Sequence, residues 1–210
     1  MKVLIVKLGA TGDVVRTTPL LRVFDGQVTW LTSPKNKTLL EGLPESASDL
    51  RVVNWHNRSI LYGESFDLVI NLEDDLETAD ILRSVHAERL FGAYADKQNQ
   101  MRYTEDASKW FDLSLISTYG RAKADELKLH NRRSYQEMIF DGLGLRFKGE
   151  QYLLPQTFEC KLQGDVAIAP EAGPVWPMKH WAHYDWLKAQ LENRNLKVNF
   201  LPTQIGRAHV

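Results

Sequence analysis

Apolar residues along this chain fall into short unbroken runs, separated by stretches with a helical period. Val3 to Val6 is β-branched and aliphatic throughout, which suits a strand buried on both faces of a parallel sheet. Comparable runs predict strands over residues 2–8, 27–31, 50–54, 68–72 and 89–92, with helices over 13–24, 38–43, 76–86, 108–117 and 131–143. Such alternation predicts an α/β domain on a doubly wound, Rossmann-like parallel sheet. Residues 94–104 are polar, weakly patterned and read as irregular. Leu154-Pro155-Gln156-Thr157 marks the exit from this domain, and the pattern then restarts with a strand over 165–170, a helix over 181–192 and a strand over 196–201. The expected boundaries are a first domain over 1–155, a linker over 156–164 and the start of a second Rossmann-like domain over 165–203. One βαβ unit cannot cover both faces of its own sheet, so the second domain reads as truncated. The ending Gln204-Ile205-Gly206-Arg207-Ala208-His209-Val210 has no apolar period, and codons matching a common sequencing adapter can encode it; 204–210 reads as a non-native tail.

Composition narrows the class. With 210 residues, 43% of them hydrophobic, the chain can bury a core. A formal net charge of −1 gives no broad basic footprint for nucleic acid. A single cysteine, Cys160, excludes an internal disulfide and argues for a reducing compartment. The N-terminus enters a strand directly with no signal-peptide pattern, and no apolar run approaches the ~20 residues that cross a bilayer. A soluble cytoplasmic protein is expected, with six Trp and seven Tyr leaving room for peripheral membrane contact.

Two loops carry candidate chemistry. Gly9 and Gly12 allow a tight turn after the first strand, placing Asp13 at a strand's carboxyl end and near a helix's amino end, where open α/β sheets bind ligands. No Gly-Lys-Ser/Thr follows Gly12, so the turn is not a Walker A loop. The spacing Gly-x-x-Gly-x-x-Gly is met at Gly9 and Gly12 but fails at Val15, and no acidic residue ends the second strand to bind a ribose; a nicotinamide cofactor is disfavoured. The second loop runs from Ala169 to Trp181, again from strand to helix. There Ala172 and Gly173 let a ligand approach the backbone, and Lys179 can set an ammonium against phosphate while helix amides add donors. By itself Lys179 reads more commonly as a surface lysine in a proline-rich loop.

Taken together the motifs resemble glycosyltransferase family 9, the ADP-heptose:lipopolysaccharide heptosyltransferases. The resemblance spans residues 1–203 and rests on Val3-Leu4-Ile5-Val6-Lys7, Gly12-Asp13-Val14, Thr18-Pro19-Leu20 and the loop Gly173, Pro177-Met178-Lys179-His180-Trp181, with a weaker match from His130 through Gly144. It implies a GT-B enzyme, in which two Rossmann-like domains bind acceptor and nucleotide sugar and react in the cleft. It further implies Asp13 as general base, Lys179 with Ala172 and Gly173 at the donor diphosphate, and Lys7, Arg16 and Gly12 on the acceptor side. The implied donor is ADP-heptose and the acceptor a lipid-linked core oligosaccharide at the inner face of a bacterial inner membrane, with no cofactor and no metal. The family's later Gly-rich, Asp-containing donor motif is missing, so this chain alone is expected to be inactive.

Two alternatives stay open: a nucleotide-sugar epimerase or dehydrogenase, and a non-catalytic sugar-nucleotide-binding domain. For Asp13 the plain role is a helix N-terminal carboxylate, stabilising by ~0.3–1 kcal/mol. Glu73-Asp74-Asp75 could imitate metal-binding carboxylates, but Asp74 or Asp75 as a helix cap is preferred. His180 and His183 lack a third ligand nearby. Arg132 and Arg133 read as a solvated helix face, Trp181 and Trp186 as packing residues, while Trp176 invites a sugar-stacking role and Cys160 is given none.

Overall fold

The computed structural model describes residues 1–44, 49–111, 119–156, 162–171 and 177–201. The chain divides into two compact units, Met1–Gln156 and Thr157–Val210.

In the first unit, strand β1 (Lys2–Val6) leads into helix α1 (Thr11–Thr17), β2 (Gln27–Thr32), α2 (Pro34–Glu41), β3 (Asp49–Asn54), β4 (Ser65–Asn71), α3 (Leu76–Asp80), β5 (His86–Ala95), β6 (Met101–Tyr103), α4 (Ser108–Phe111), α5 (Arg121–His130) and α6 (Tyr135–Gly142). The sheet order is β3-β2-β1-β4-β5-β6. Strands β1 to β5 are parallel, and β6 closes the edge antiparallel to β5. This is a doubly wound α/β sheet. The unbroken apolar run in β1 has the predicted cause: Val3 and Ile5 join one core with Val14, Leu20, Trp30, Ile70, Phe91 and Phe140, and Leu4 and Val6 join a second with Leu31, Val53, Phe66, Val69 and Ile81. The chain moves outward from β1 through β2 to β3, then returns to lay β4 on the other side of β1. Between the carboxyl ends of β1 and β4 lies the topological switch point, the place where such sheets bind ligands.

Several elements differ from expectation, each for a local reason. The helix expected over 13–24 is α1 followed by a 3-10 segment, Thr18–Arg22. Pro19 has no N–H to donate to the Val15 carbonyl, which accepts instead from the Thr18 amide and hydroxyl, so regular α-helix ends there. The helix expected over 76–86 is α3 plus a 3-10 turn, Ile81–Ser84, because His86 already pairs with Ser65 as the first residue of β5. Within 94–104, read as irregular, β6 forms because the Asp96 carboxylate accepts from the Gln98 and Gln100 amides and from the Arg102 guanidinium, which shapes a hairpin turn. The helix expected over 131–143 starts later, at Tyr135, where Ser134 and Glu137 form a reciprocal capping box. A separate helix, α5, precedes it.

The second unit contains β7 (Val166–Ile168), a 3-10 turn at Pro177–Lys179, helix α7 (Tyr184–Glu192) and β8 (Val198–Phe200). Strands β7 and β8 pair in parallel, and the Asp165 carboxylate accepts from the Lys197 amide at 2.8 Å. Among the described residues no helix is long and apolar enough to cross a membrane.

Candidate functional site

At the switch point two loops meet, one from β1 and one from β4. The loop after β1 begins with Lys7, whose side chain is 7% exposed and whose ammonium lies 3.1 Å from Glu73 Oε1. That same oxygen accepts from the Leu8 amide at 2.6 Å and the Gly9 amide at 3.1 Å. Glu73 directly follows Leu72, and its own amide donates to Asn71 Oδ1. Asn71 in turn donates from Nδ2 to Ala93 O, so the β4 loop is tied to β5. On the other flank buried Asn36 donates to Leu8 O at 2.7 Å and accepts from Thr11 Oγ1 at 2.8 Å. The turn that precedes α1 is therefore fastened on both sides, by the loop after β4 and by helix α2 after β2.

Asp13 stands in the first turn of α1, its amide donating to Ala10 O. Its carboxylate is 36% exposed and lies 3.3 Å from the Arg16 guanidinium, itself 55% exposed. A solvated pair of this kind contributes no more than ~1 kcal/mol, so the carboxylate can be approached at small cost. Arg16 also sits over the Tyr135 ring, 5.8 Å from its centroid, and the edge of Trp110 meets that ring at 5.5 Å. Thr17 Oγ1 donates to Asp13 O, and the Tyr135 hydroxyl and Thr17 Oγ1 are 3.1 Å apart. Gln136 donates to Arg16 O and to the Tyr152 hydroxyl, which fixes α6 against α1. Burial chiefly holds the Tyr135 hydroxyl above its ordinary pKa; the Thr17 hydrogen bond opposes this, and the Asp13 and Glu73 charges reinforce it.

The acidic triplet divides into three tasks. Glu73 takes the Lys7 ammonium, Asp74 accepts from the Tyr103 hydroxyl, and Asp75 caps α3 by accepting from the Thr78 amide at 2.8 Å. The cap preferred for Asp74 or Asp75 is thus made by Asp75. Among the described residues no group of three His, Cys, Asp or Glu side chains is arranged to hold a metal ion.

In the second unit Lys179 ends the 3-10 turn and is exposed, as are Met178 and His180. Ala172, Gly173, Trp176 and Cys160 lie outside the described residues, as does the tail 204–210. His183 occupies the N-cap position of α7 without a side-chain cap bond. Trp181, expected to pack, meets His183 and Tyr184 edge-on while 42% exposed; Trp186, also expected to pack, is 59% exposed. Among the described residues of this unit, one helix and two short strands offer too little apolar surface to cover them. Arg133 pairs with Asp141 on an exposed face, and Arg132 donates to Leu129 O and Asn131 O.

The structure thus brings Gly12, Asp13 and Arg16 together at the switch point and sets Lys7 behind them, against Glu73. Sequence reasoning passed over Asn36, Tyr135 and Gln136. Ser134-Tyr135-Gln136-Glu137 does carry a capping-box signal that would have placed α6 and with it Tyr135. For Asn36, within Ser33-Pro34-Lys35-Asn36, no sequence signal distinguishes a scaffold amide from a helix-start residue.

No family model matches the sequence, and no curated protein matches it. Among solved structures the chain is similar to E. coli heptosyltransferase WaaC with ADP-2-deoxy-2-fluoro heptose, with a TM-score of 0.55 and 16% identity, covering 95% of this chain and 68% of that one. It is also similar to E. coli heptosyltransferase WaaC with ADP, with a TM-score of 0.53 and 18% identity, covering 95% of this chain and 66% of that one. The chain therefore spans about two thirds of the length of those structures. The likeness shows the fold, a heptosyltransferase-like α/β architecture of GT-B type.

Proposed function

We propose that this chain is part of an inverting glycosyltransferase that moves heptose from ADP-heptose to a lipid-linked inner-core oligosaccharide acceptor. The observation that carries this reading is the half-exposed Asp13 carboxylate at the switch point of a heptosyltransferase-like sheet. A carboxylate there can accept a proton from an acceptor hydroxyl as the hydroxyl oxygen attacks the anomeric carbon. The new C–O bond forms as the bond to the ADP oxygen breaks, and the electron pair leaves with ADP. A single displacement inverts the anomeric centre, through a transition state with oxocarbenium character. Lys179, with the backbone at Ala172 and Gly173, offsets the charge that develops on the departing diphosphate. Arg16 and Gly12 line the acceptor side, where a guanidinium suits an acidic or phosphorylated sugar. ADP and the ADP-sugar analogue carried by the two similar structures support a nucleotide-sugar donor. The reaction so written needs neither a metal nor a bound cofactor, and a lipid-linked acceptor calls for peripheral attachment to the inner face of a membrane. In this reading residues 1–155 supply the acceptor side and residues 165–203 belong to the donor side.

Asp13→Asn in the full-length protein tests the reading. Turnover should fall by about 10²–10⁴-fold, the usual contribution of a positioned base, while ADP-heptose still binds. Unchanged turnover would refute the assignment.

A further inference from the structure

The carboxylate of Glu73 has no place in the chemistry just described, yet it is among the most heavily used groups in the first unit. One oxygen, Oε1, accepts from two consecutive backbone amides, Leu8 and Gly9, and faces the Lys7 ammonium at 3.1 Å. The residues joined are about 65 apart in sequence, and the contact spans the ends of adjacent strands β1 and β4. Lys7, read from the sequence as a cation for an acidic acceptor group, is almost fully buried, and its Nζ also donates to Leu72 O at 3.4 Å. An ammonium so enclosed faces its own protein.

We infer that Glu73 is a positioning residue that holds the β1–α1 turn, and hence Asp13, in register, and that Lys7 is its countercharge rather than a ligand for the acceptor. The inference rests on the proposed role of Asp13. Two adjacent amides at a turn need acceptors, and no strand partner supplies them once β1 has ended. A carboxylate binds both more strongly than a neutral oxygen does, and the Lys7 ammonium, 3.1 Å from the same oxygen, adds a charged contact. The device is thus a three-donor anion site filled by the protein's own side chain. It fixes the turn from the β4 side as Asn36 fixes it from the β2 side. Glu73 acts through the turn and touches no substrate.

Two measurements test this. In the 210-residue chain, amide hydrogen exchange at Leu8 and Gly9 should accelerate at least about tenfold in Glu73→Ala, since both amides lose their acceptor. Glu73→Gln, which keeps an oxygen in place, should recover most of the protection. In the full-length enzyme Glu73→Ala should lower kcat by about 100-fold, the cost of a misplacement near 1 Å, with acceptor KM within about twofold. Glu73→Gln should restore kcat in large part, and Lys7→Met should lower kcat in the same sense as Glu73→Ala. Unchanged exchange at Leu8 and Gly9 in Glu73→Ala would overturn the inference. So would a loss in either variant that falls on acceptor KM, because Lys7 or Glu73 would then be contacting ligand. Asp13→Asn run alongside separates the two ideas: turnover that survives it removes the proposed reaction, whereas the exchange result stands or falls on its own.

Discussion

Gly92 sits where β5 passes the carboxyl end of β4, opposite Asn71. Its φ is +116°, a conformation that side chains strain to adopt, and a Cβ added there would lie 1.9 Å from Asn71 O and 2.8 Å from Asn71 C. Both obstacles are backbone, so no rotamer change relieves them. Gly92→Ala should therefore cost the strain of the positive φ plus that of forcing two strands apart, together about 2–6 kcal/mol. At 2–4 °C per kcal/mol this is a fall in Tm of roughly 5–20 °C. Asn71 supplies the Oδ1 that accepts from the Glu73 amide, so the displacement reaches the loop that holds the β1–α1 turn. Gly63 provides the control: its φ is +78°, but an added Cβ meets nothing within 4 Å. Gly63→Ala should show the strain alone, about 1–3 kcal/mol. Thermal unfolding followed by near-ultraviolet and far-ultraviolet circular dichroism measures both. If Gly92→Ala melts no lower than Gly63→Ala, the overlap with Asn71 is being absorbed without cost and the reasoning fails.

Other predictions are more modest. Asp75→Ala removes the cap of α3 and should cost about 1 kcal/mol, seen as a fall in Tm of roughly 2–4 °C. Arg16→Ala breaks a solvated pair and an exposed contact with the Tyr135 ring, each worth no more than about 1 kcal/mol, so Tm should move by less than about 8 °C; on the proposed function, acceptor KM should rise by about tenfold, and a change confined to Tm would argue against it. Tyr103 and Tyr135 both have hydroxyl pKa values raised above 10.0, Tyr103 by burial and then by the Asp74 carboxylate, Tyr135 chiefly by burial. A raised folded value means that their contribution to stability is full below the unfolded pKa and is lost as pH rises through the folded values. Phenolate absorbance should thus show Tyr103 and Tyr135 ionising only well above pH 10, with stability declining above pH 10, and Tyr103→Phe and Tyr135→Phe should each remove one such late step.

What the sequence determined by itself was local and periodic. The run Val3 to Val6 required a strand with both faces buried, and the glycines after it required a turn before a helix, which places Asp13 at a strand's carboxyl end. Pro19, inside the helix expected over 13–24, marks where regular α-helix gives way to the 3-10 segment. The acidic triplet showed its limit: the sequence could suggest a cap at Asp74 or Asp75, but only the fold gave the cap to Asp75, Tyr103 to Asp74 and Lys7 to Glu73. The short strand β6 was missed because its pattern is weak and its stability comes from the hairpin that Asp96 organises and from pairing with β5. Tertiary structure alone decided that Lys7 faces inward, that Asn36 braces the turn, and that Tyr135 underlies Arg16. The physical reason is that each of these is a contact between residues far apart in sequence, brought together by strand order or by helices packed beside one another, and a side chain's role in such a contact depends on what the facing element presents.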